Sequence, residues 1–169
     1  MSTGARWARS ARCSAPAETA SARLASPFLY VIADEYVWEA YGAYRLPSAC
    51  DASGCATLAA GQIYYDPTSQ DVHAFTNLLA VDLSEGESAA VSVLTGSTSV
   101  VSMSHGALYL AFFKWEPVAS FLRASTGAVR EHTTVHRVRV AGLSLQVGGS
   151  ADVPGRVQNQ FSLDEHRGH

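Results

Sequence analysis

Two histidines four positions apart, His132 and His136, with Glu131 beside them, come nearest in this sequence to a metal-ligand spacing. On a helix that spacing puts both imidazoles on one face, where a zinc ion can bridge them. The neighbours Thr133, Thr134, Val135, Val138 and Val140 favour a strand instead, which spreads positions four apart by roughly 13 Å at ~3.3 Å per residue. One ion cannot span that gap, so no metal ligand is assigned. His73 and His105 have serines and acids elsewhere in the chain to pair with, but the sequence contains no Gly-x-Ser-x-Gly elbow. Its one lysine, Lys114, follows Phe113 inside an apolar run and cannot belong to a phosphate-binding loop. No catalytic residue and no cofactor follow from the sequence.

The remaining chemistry belongs to arginines and aromatics. Arg6, Arg9, Arg12 and Arg23 face a single acid, Glu18, within the first 26 residues, the composition of an organellar transit peptide, of a basic arm able to touch nucleic-acid phosphates, or of a flexible tail. Arg130, Arg137 and Arg139 read as a solvated strand edge that blocks unwanted pairing. Charge gives no stronger pointer: 12 basic against 15 acidic residues leave a net charge of -3, too small to select a partner through long-range field. Tyr109, Phe113 and Trp115 alternate along one strand, opposite Leu108, Leu110 and Phe112. A strand apolar on both faces needs cover on both, so these three are the expected interface residues.

Strands are what position these side chains. Phe28–Ile32 opens with β-forming residues, and Asp34–Tyr44 fits either a continuing strand or a helix, with strand slightly preferred. The clearest signal is a period of two: Leu79, Val81 and Leu83, a turn at Ser84–Glu87, then Ala89, Val91 and Val93, a hairpin with one buried face. Ser104-His105-Gly106 turns into the run Ala107–Trp115; Val118–Leu122 offers one helical turn; and Val135–Val147 shifts phase at Gly142, which reads as a bulge or bend, before Gly148-Gly149 closes it. Cys50 and Cys55 bracket four residues and are able to close a disulfide loop, although the odd Cys13 favours free thiols. No run reaches the ~20 apolar residues of a membrane-spanning helix, so a soluble protein without a membrane span is expected; its compartment is left open, with extracellular and virion-associated settings among the options.

Val81-Asp82-Leu83-Ser84-Glu85-Gly86-Glu87-Ser88, the alternating Val91-Ser92-Val93, and Ser104-His105-Gly106 leading into Leu108–Trp115 resemble the C-terminal half of a tumour-necrosis-factor or C1q-like head. The resemblance covers residues 71–115, about a quarter of the chain. It implies a trimeric jelly roll that binds other proteins and is not an enzyme.

Together these features predict an all-β chain, an antiparallel two-sheet β-sandwich of jelly-roll type with at most one or two short helices. Residues 1–26 are expected to form a flexible arm, 27–149 one sandwich domain and 150–169 a polar tail. The expected function is a non-enzymatic, self-assembling module, a trimer or larger, presenting loops to a protein partner. Two alternatives stand beside it: a virion structural subunit whose arginine-bearing arm meets nucleic acid, and a hydrolase or metal enzyme whose site the sequence hides.

Overall fold

The structure, a computed structural model, describes residues 12–13, 20–37, 39–40, 43–51, 54–66, 73–96, 98–117 and 129–165. The chain is all-β. Among the described residues, fourteen strands follow one another in the order β1 Arg12–Cys13, β2 Ala20–Ala25, β3 Phe28–Tyr36, β4 Glu39–Ala40, β5 Ala43–Tyr44, β6 Ser48–Asp51, β7 Gly54–Thr57, β8 Ile63–Tyr65, β9 Ala74–Asp82, β10 Ser88–Thr95, β11 Val100–Met103, β12 Ala107–Pro117, β13 Val129–Ala141 and β14 Ser144–Pro154. Helical geometry among the described residues is confined to single 3-10 turns at Ala60–Gln62 and Gln160–Ser162, and none of it is long or apolar enough to cross a membrane. The strands form four sheets of five, four, three and two members, in place of the expected two. They divide into two compact units, residues 1–97 with 139–147, and residues 98–138 with 148–169.

In the first unit the five-stranded sheet runs β2-β3-β9-β10-β8. Its centre is β9, antiparallel to both neighbours, with Tyr30 opposite Ala80 on one side and Ala89 opposite Ala80 on the other. Every residue of β9 from Ala74 to Ala80 is buried, and so are both Ser92 and Val93 of β10. The hairpin expected from the alternation is present, but β9 is covered on both faces, because Thr76 and Asn77 sit buried among its apolar residues, while β10 is exposed at Ser88 and half-buried over Ala89–Val91. Asp82 builds the turn between β9 and β10. Its carboxylate accepts from the backbone N–H groups of Ser84 (2.8 Å) and Glu85 (3.2 Å), and Gly86 takes the left-handed φ of 75° that the reversal requires.

The stretch read as a flexible arm contains β2, which pairs with β3 along its whole length from Ala20↔Ala33 to Ala25↔Phe28. The ambiguous segment after Ile32 is extended: β3 runs through Asp34 and Glu35 to Tyr36, and β4 and β5 pair as a two-stranded ribbon. β1, β6 and β7 make the three-stranded sheet, with Cys50 opposite Cys55. Those two cysteines form a disulfide, not free thiols, because the hairpin places them as direct cross-strand neighbours. The helical turn expected at Val118–Leu122 lies outside the described residues.

In the second unit β11 pairs antiparallel with β12 through the tight turn Ser104–Ala107, where the Ser104 N–H donates to the Ala107 carbonyl at 2.9 Å. Sheet order equals chain order, β11-β12-β13-β14. Residues 139–147, which belong to the first unit, hold the phase shift at Gly142: of the expected bulge or bend it is a bend, a chain reversal between β13 and β14. Gly142 has a φ of 61°, and a Cβ there would meet the Phe28 ring at 3.0 Å. Gly148 and Gly149 lie inside β14, which continues to Pro154, because a strand held by a neighbouring ladder tolerates glycine.

Candidate functional site

The densest group of buried polar side chains crosses the middle of the five-stranded sheet. Asp34 lies directly opposite Thr76, and the Thr76 hydroxyl donates to the Asp34 carboxylate at 2.7 Å. One residue on, and therefore on the other face, the Ser92 hydroxyl donates to the Asn77 amide oxygen at 2.8 Å while the Asn77 NH2 donates to a Glu35 carboxylate oxygen at 3.3 Å. Ser92 and Asn77 are direct cross-strand partners, and Glu35 sits diagonally across from Asn77. All five side chains are buried, Glu35 at 5% exposure. Burial pushes the Glu35 carboxyl up from its ordinary pKa, and the Asn77 hydrogen bond and the Arg45 charge pull part of the way back. The two acids face opposite sides of one strand and each is held by a neutral donor, so they do not converge as an acid–base pair needs to.

A second polar group closes the C-terminal segment onto β12. The Glu165 carboxylate accepts from the Ser104 hydroxyl, takes a hydrogen bond from Tyr109 and pairs with the Arg137 guanidinium at 3.3 Å. The Ser104 and Tyr109 hydrogen bonds, with smaller help from Arg137 and His105, hold Glu165 below the ordinary glutamate range. Burial first, then the hydrogen bond to Glu165 and its charge, raise the Tyr109 phenol. The root of the segment is fixed separately, the Thr133 hydroxyl donating to the Gly155 carbonyl at 2.8 Å and the Gly155 N–H to the Glu131 carbonyl at 2.9 Å.

The aromatic strand divides its faces unequally. Leu108, Leu110 and Phe112 are fully buried. Of the three expected interface residues, Tyr109 is half-buried beneath Glu165, Phe113 is half-buried with the Arg156 guanidinium 4.9 Å from its ring centre, and Trp115 is 57% exposed. Phe113 and Trp115 stand edge to face at 5.2 Å. The chain's own residues 155–165 thus supply part of the cover that the sequence assigned to another subunit.

The basic-arm arginines are not gathered in one place by the described residues. Arg6 and Arg9 lie outside them, Arg12 contributes its backbone to β1, and the Arg23 guanidinium on edge strand β2 donates to Ser21 Oγ at 2.8 Å and to the Ala22 carbonyl at 2.9 Å. His132 and His136 lie on strand β13, as their neighbours imply, and His136 packs edge to face on Phe112 at 5.3 Å. No cluster of three or more His, Cys, Asp or Glu able to hold a metal occurs among the described residues.

A family model described as a beta propeller domain matches residues 7–169. The chain belongs to the beta propeller domain family. No curated protein and no solved structure matches it. The family overturns the likeness to tumour-necrosis-factor and C1q-like jelly rolls. What carried that likeness was alternation, a glycine turn and an aromatic strand, and any antiparallel meander has those. Propellers are built from four-stranded antiparallel sheets, and β11 to β14, four strands in chain order, make a sheet of that size in this propeller-family chain. Sequence reading missed the Asp34/Thr76 and Glu35/Asn77/Ser92 contacts. Their signal was present as polar residues inside otherwise apolar strand runs, but pairing them needs the register of β3, β9 and β10.

Proposed function

We propose that this propeller-family chain is a non-enzymatic binding module that engages a protein surface through the outer end of β12. Fold alone assigns no function, so the reading rests on one local observation. Trp115 stands 57% exposed against Phe113, with Arg156 stacked over that ring. Tryptophan and arginine are the side chains most often found at the energetic centre of protein interfaces, and an aromatic with a neighbouring stack gives a rigid anchor with little ordering cost. A carboxylate held against β12, Glu165, lies away from this end, by Ser104 and Tyr109. Glu165 is occupied by Ser104, Tyr109 and Arg137, which hold it below the ordinary glutamate range.

Self-association through this end is the version of the proposal that needs no unknown partner. Light scattering at micromolar concentration is expected to give a mass well above the 17.9 kDa of one chain, reduced to one chain by Trp115→Ser with the circular-dichroism spectrum unchanged. A monodisperse single chain overturns self-association. Lower thermal stability of that monomer on Trp115→Ser assigns Trp115 to its own fold and overturns the contact role altogether.

A further inference from the structure

Alternate residues of a strand share a face, so Tyr109, Ala111, Phe113 and Trp115 stand on one side of β12. Residues 155–165 run along that side. Near their start the Arg156 guanidinium lies 4.9 Å from the Phe113 ring centre, and at their end the Glu165 carboxylate accepts from Ser104 and Tyr109. Between these two contacts the Gln160–Ser162 turn packs against β11, and Ala111 is fully buried. Trp115, two positions beyond Phe113, is the part of this face that the segment leaves uncovered, at 57% exposure.

The segment covers the sheet without being covered itself. No residue from Arg156 to Glu165 is buried, and Phe161 is 86% exposed. Hydrophobic burial therefore does little to hold it, and segments with few buried apolar contacts open at low cost. Its root is fixed by backbone groups: the Gly155 N–H donates to the Glu131 carbonyl at 2.9 Å and the Val157 N–H to the Thr133 hydroxyl at 3.3 Å. Gly155 takes a left-handed φ of 86° where the chain leaves β14. The far end is held by Glu165, which joins Ser104 in the β11–β12 turn, Tyr109 on β12 and Arg137 on β13.

We infer that residues 156–165 are a strap closed over the face of β12 and latched by Glu165, and that unlatching it extends the contact surface at Trp115 to Phe113 and Tyr109. The inference rests on the contact role proposed for Trp115 and assigns its regulation. With the strap closed, contact is limited to the outer end of β12. With it open, three aromatic side chains line roughly 20 Å of one strand face. Acid is a trigger built into the latch. Tyr109, Arg137 and His105 face Glu165 and each favours its carboxylate form, while Asp164, beside it in the strap, accepts from the Glu165 backbone N–H at 2.8 Å. Protonation of Glu165 discharges its pair with Arg137. Between the lowered closed-state pKa and the ordinary value of the open state, the ratio of open to closed chains rises by up to about tenfold for each unit that the pH falls.

The test uses the full chain and Glu165→Ala at neutral pH, with trypsin cleavage after Arg156 located by mass spectrometry as the measure of strap opening and light scattering as the measure of self-association. In Glu165→Ala the cleavage is expected to be about tenfold faster or more, with the circular-dichroism spectrum unchanged. Association is expected at about tenfold lower protein concentration. Ser104→Ala, which weakens the latch and keeps Glu165, serves if Glu165→Ala does not fold. In acid the unmodified chain is expected to gain binding of the dye 1-anilinonaphthalene-8-sulfonate, whereas Glu165→Gln binds it already at neutral pH and gains nothing further. Unchanged cleavage in the latch variants, or the same acid response in Glu165→Gln, overturns the inference. Faster cleavage without stronger association, while Trp115→Ser still dissociates the chain, also overturns it and leaves the contact role of Trp115 standing. Association in Glu165→Ala that an added Trp115→Ser does not weaken overturns the contact role and this inference with it.

Discussion

Asn77 is the shared member of a buried relay in which Ser92 donates to it and it donates to Glu35, so its removal has a cost that can be worked out in advance. Asn77→Ala leaves a neutral hydroxyl and a carboxylate without these partners, both inside the sheet. Orphaning a buried neutral group costs about 1–3 kcal/mol, and a lost hydrogen bond to a charged group about 1.5–3 kcal/mol. The expected loss is therefore about 3–5 kcal/mol, a large part of the ~5–15 kcal/mol that holds a domain together. At a urea slope of about 2 kcal/mol/M, the midpoint falls by roughly 2 M. Because the chain has two compact units, the transition is followed by amide exchange in β3, β9 and β10, with circular dichroism as the global signal. Ser92→Ala alone is expected to cost about 1–2 kcal/mol. The double variant should lose less than the sum, with a coupling of about 1 kcal/mol or more, because serine removal has little left to break once Asn77 is gone. Additivity within about 0.3 kcal/mol, or a midpoint shift below roughly 0.5 M, would refute the relay as a stabilising unit.

Three further outcomes follow from the same geometry. Glu35 has a raised folded-state pKa, so its ionised form opposes folding above that value and the penalty disappears as pH falls through it; Glu35→Gln, which can still accept from Asn77, is expected to stabilise the protein at neutral pH and to match the unmodified chain in acid, as measured by urea midpoints across pH. Glu165 has a lowered pKa, so its contribution is complete above the ordinary glutamate range and is lost as pH falls through the folded value; protection of the Ser104 and Tyr109 amides, relative to their intrinsic exchange rates at each pH, should fall over that acidic window and should already be low at neutral pH in Glu165→Ala. Gly142→Ala meets both a left-handed φ and a Phe28 ring atom 3.0 Å from the new Cβ, and is expected to cost about 1–2 kcal/mol, read as a lower thermal midpoint.

The features legible in the sequence were those with a short period. Alternation located β9, β10 and the turn between them, and the apolar run located β12, because each signal is complete within about ten residues. Extended structure at His132 and His136 followed from their β-branched neighbours for the same reason. What escaped depends on distant partners. Asp34 could be weighed as a helix cap only while Thr76 opposite it was unknown. β2 was hidden because Ala20–Ala25 has little β-propensity of its own and is extended through pairing with β3. The family-level error had the same source: local pattern fixes a hairpin, and hairpins are common to jelly rolls and propellers alike.

The buried polar residues are better understood as determinants of strand register than as a site awaiting a substrate. β9 and β10 are otherwise rich in small and aliphatic residues, Leu78, Leu79, Ala80, Ala89, Ala90, Val91 and Val93, which pack almost as well after a shift along the strand. Sheets with such uniform faces specify register weakly. In the observed alignment Ser92 opposes Asn77 and Thr76 opposes Asp34. A shift of two residues keeps every side chain on its face, yet it sets Ser92 against Phe75 or Leu79 and leaves the Asn77 amide among apolar neighbours. The hydrophobic term barely distinguishes the two alignments, whereas each orphaned buried group costs about 1–3 kcal/mol. Registry is the best-attested use of buried polar groups, and it accounts for why these acids are paired with neutral donors within the sheet instead of converging on a cavity.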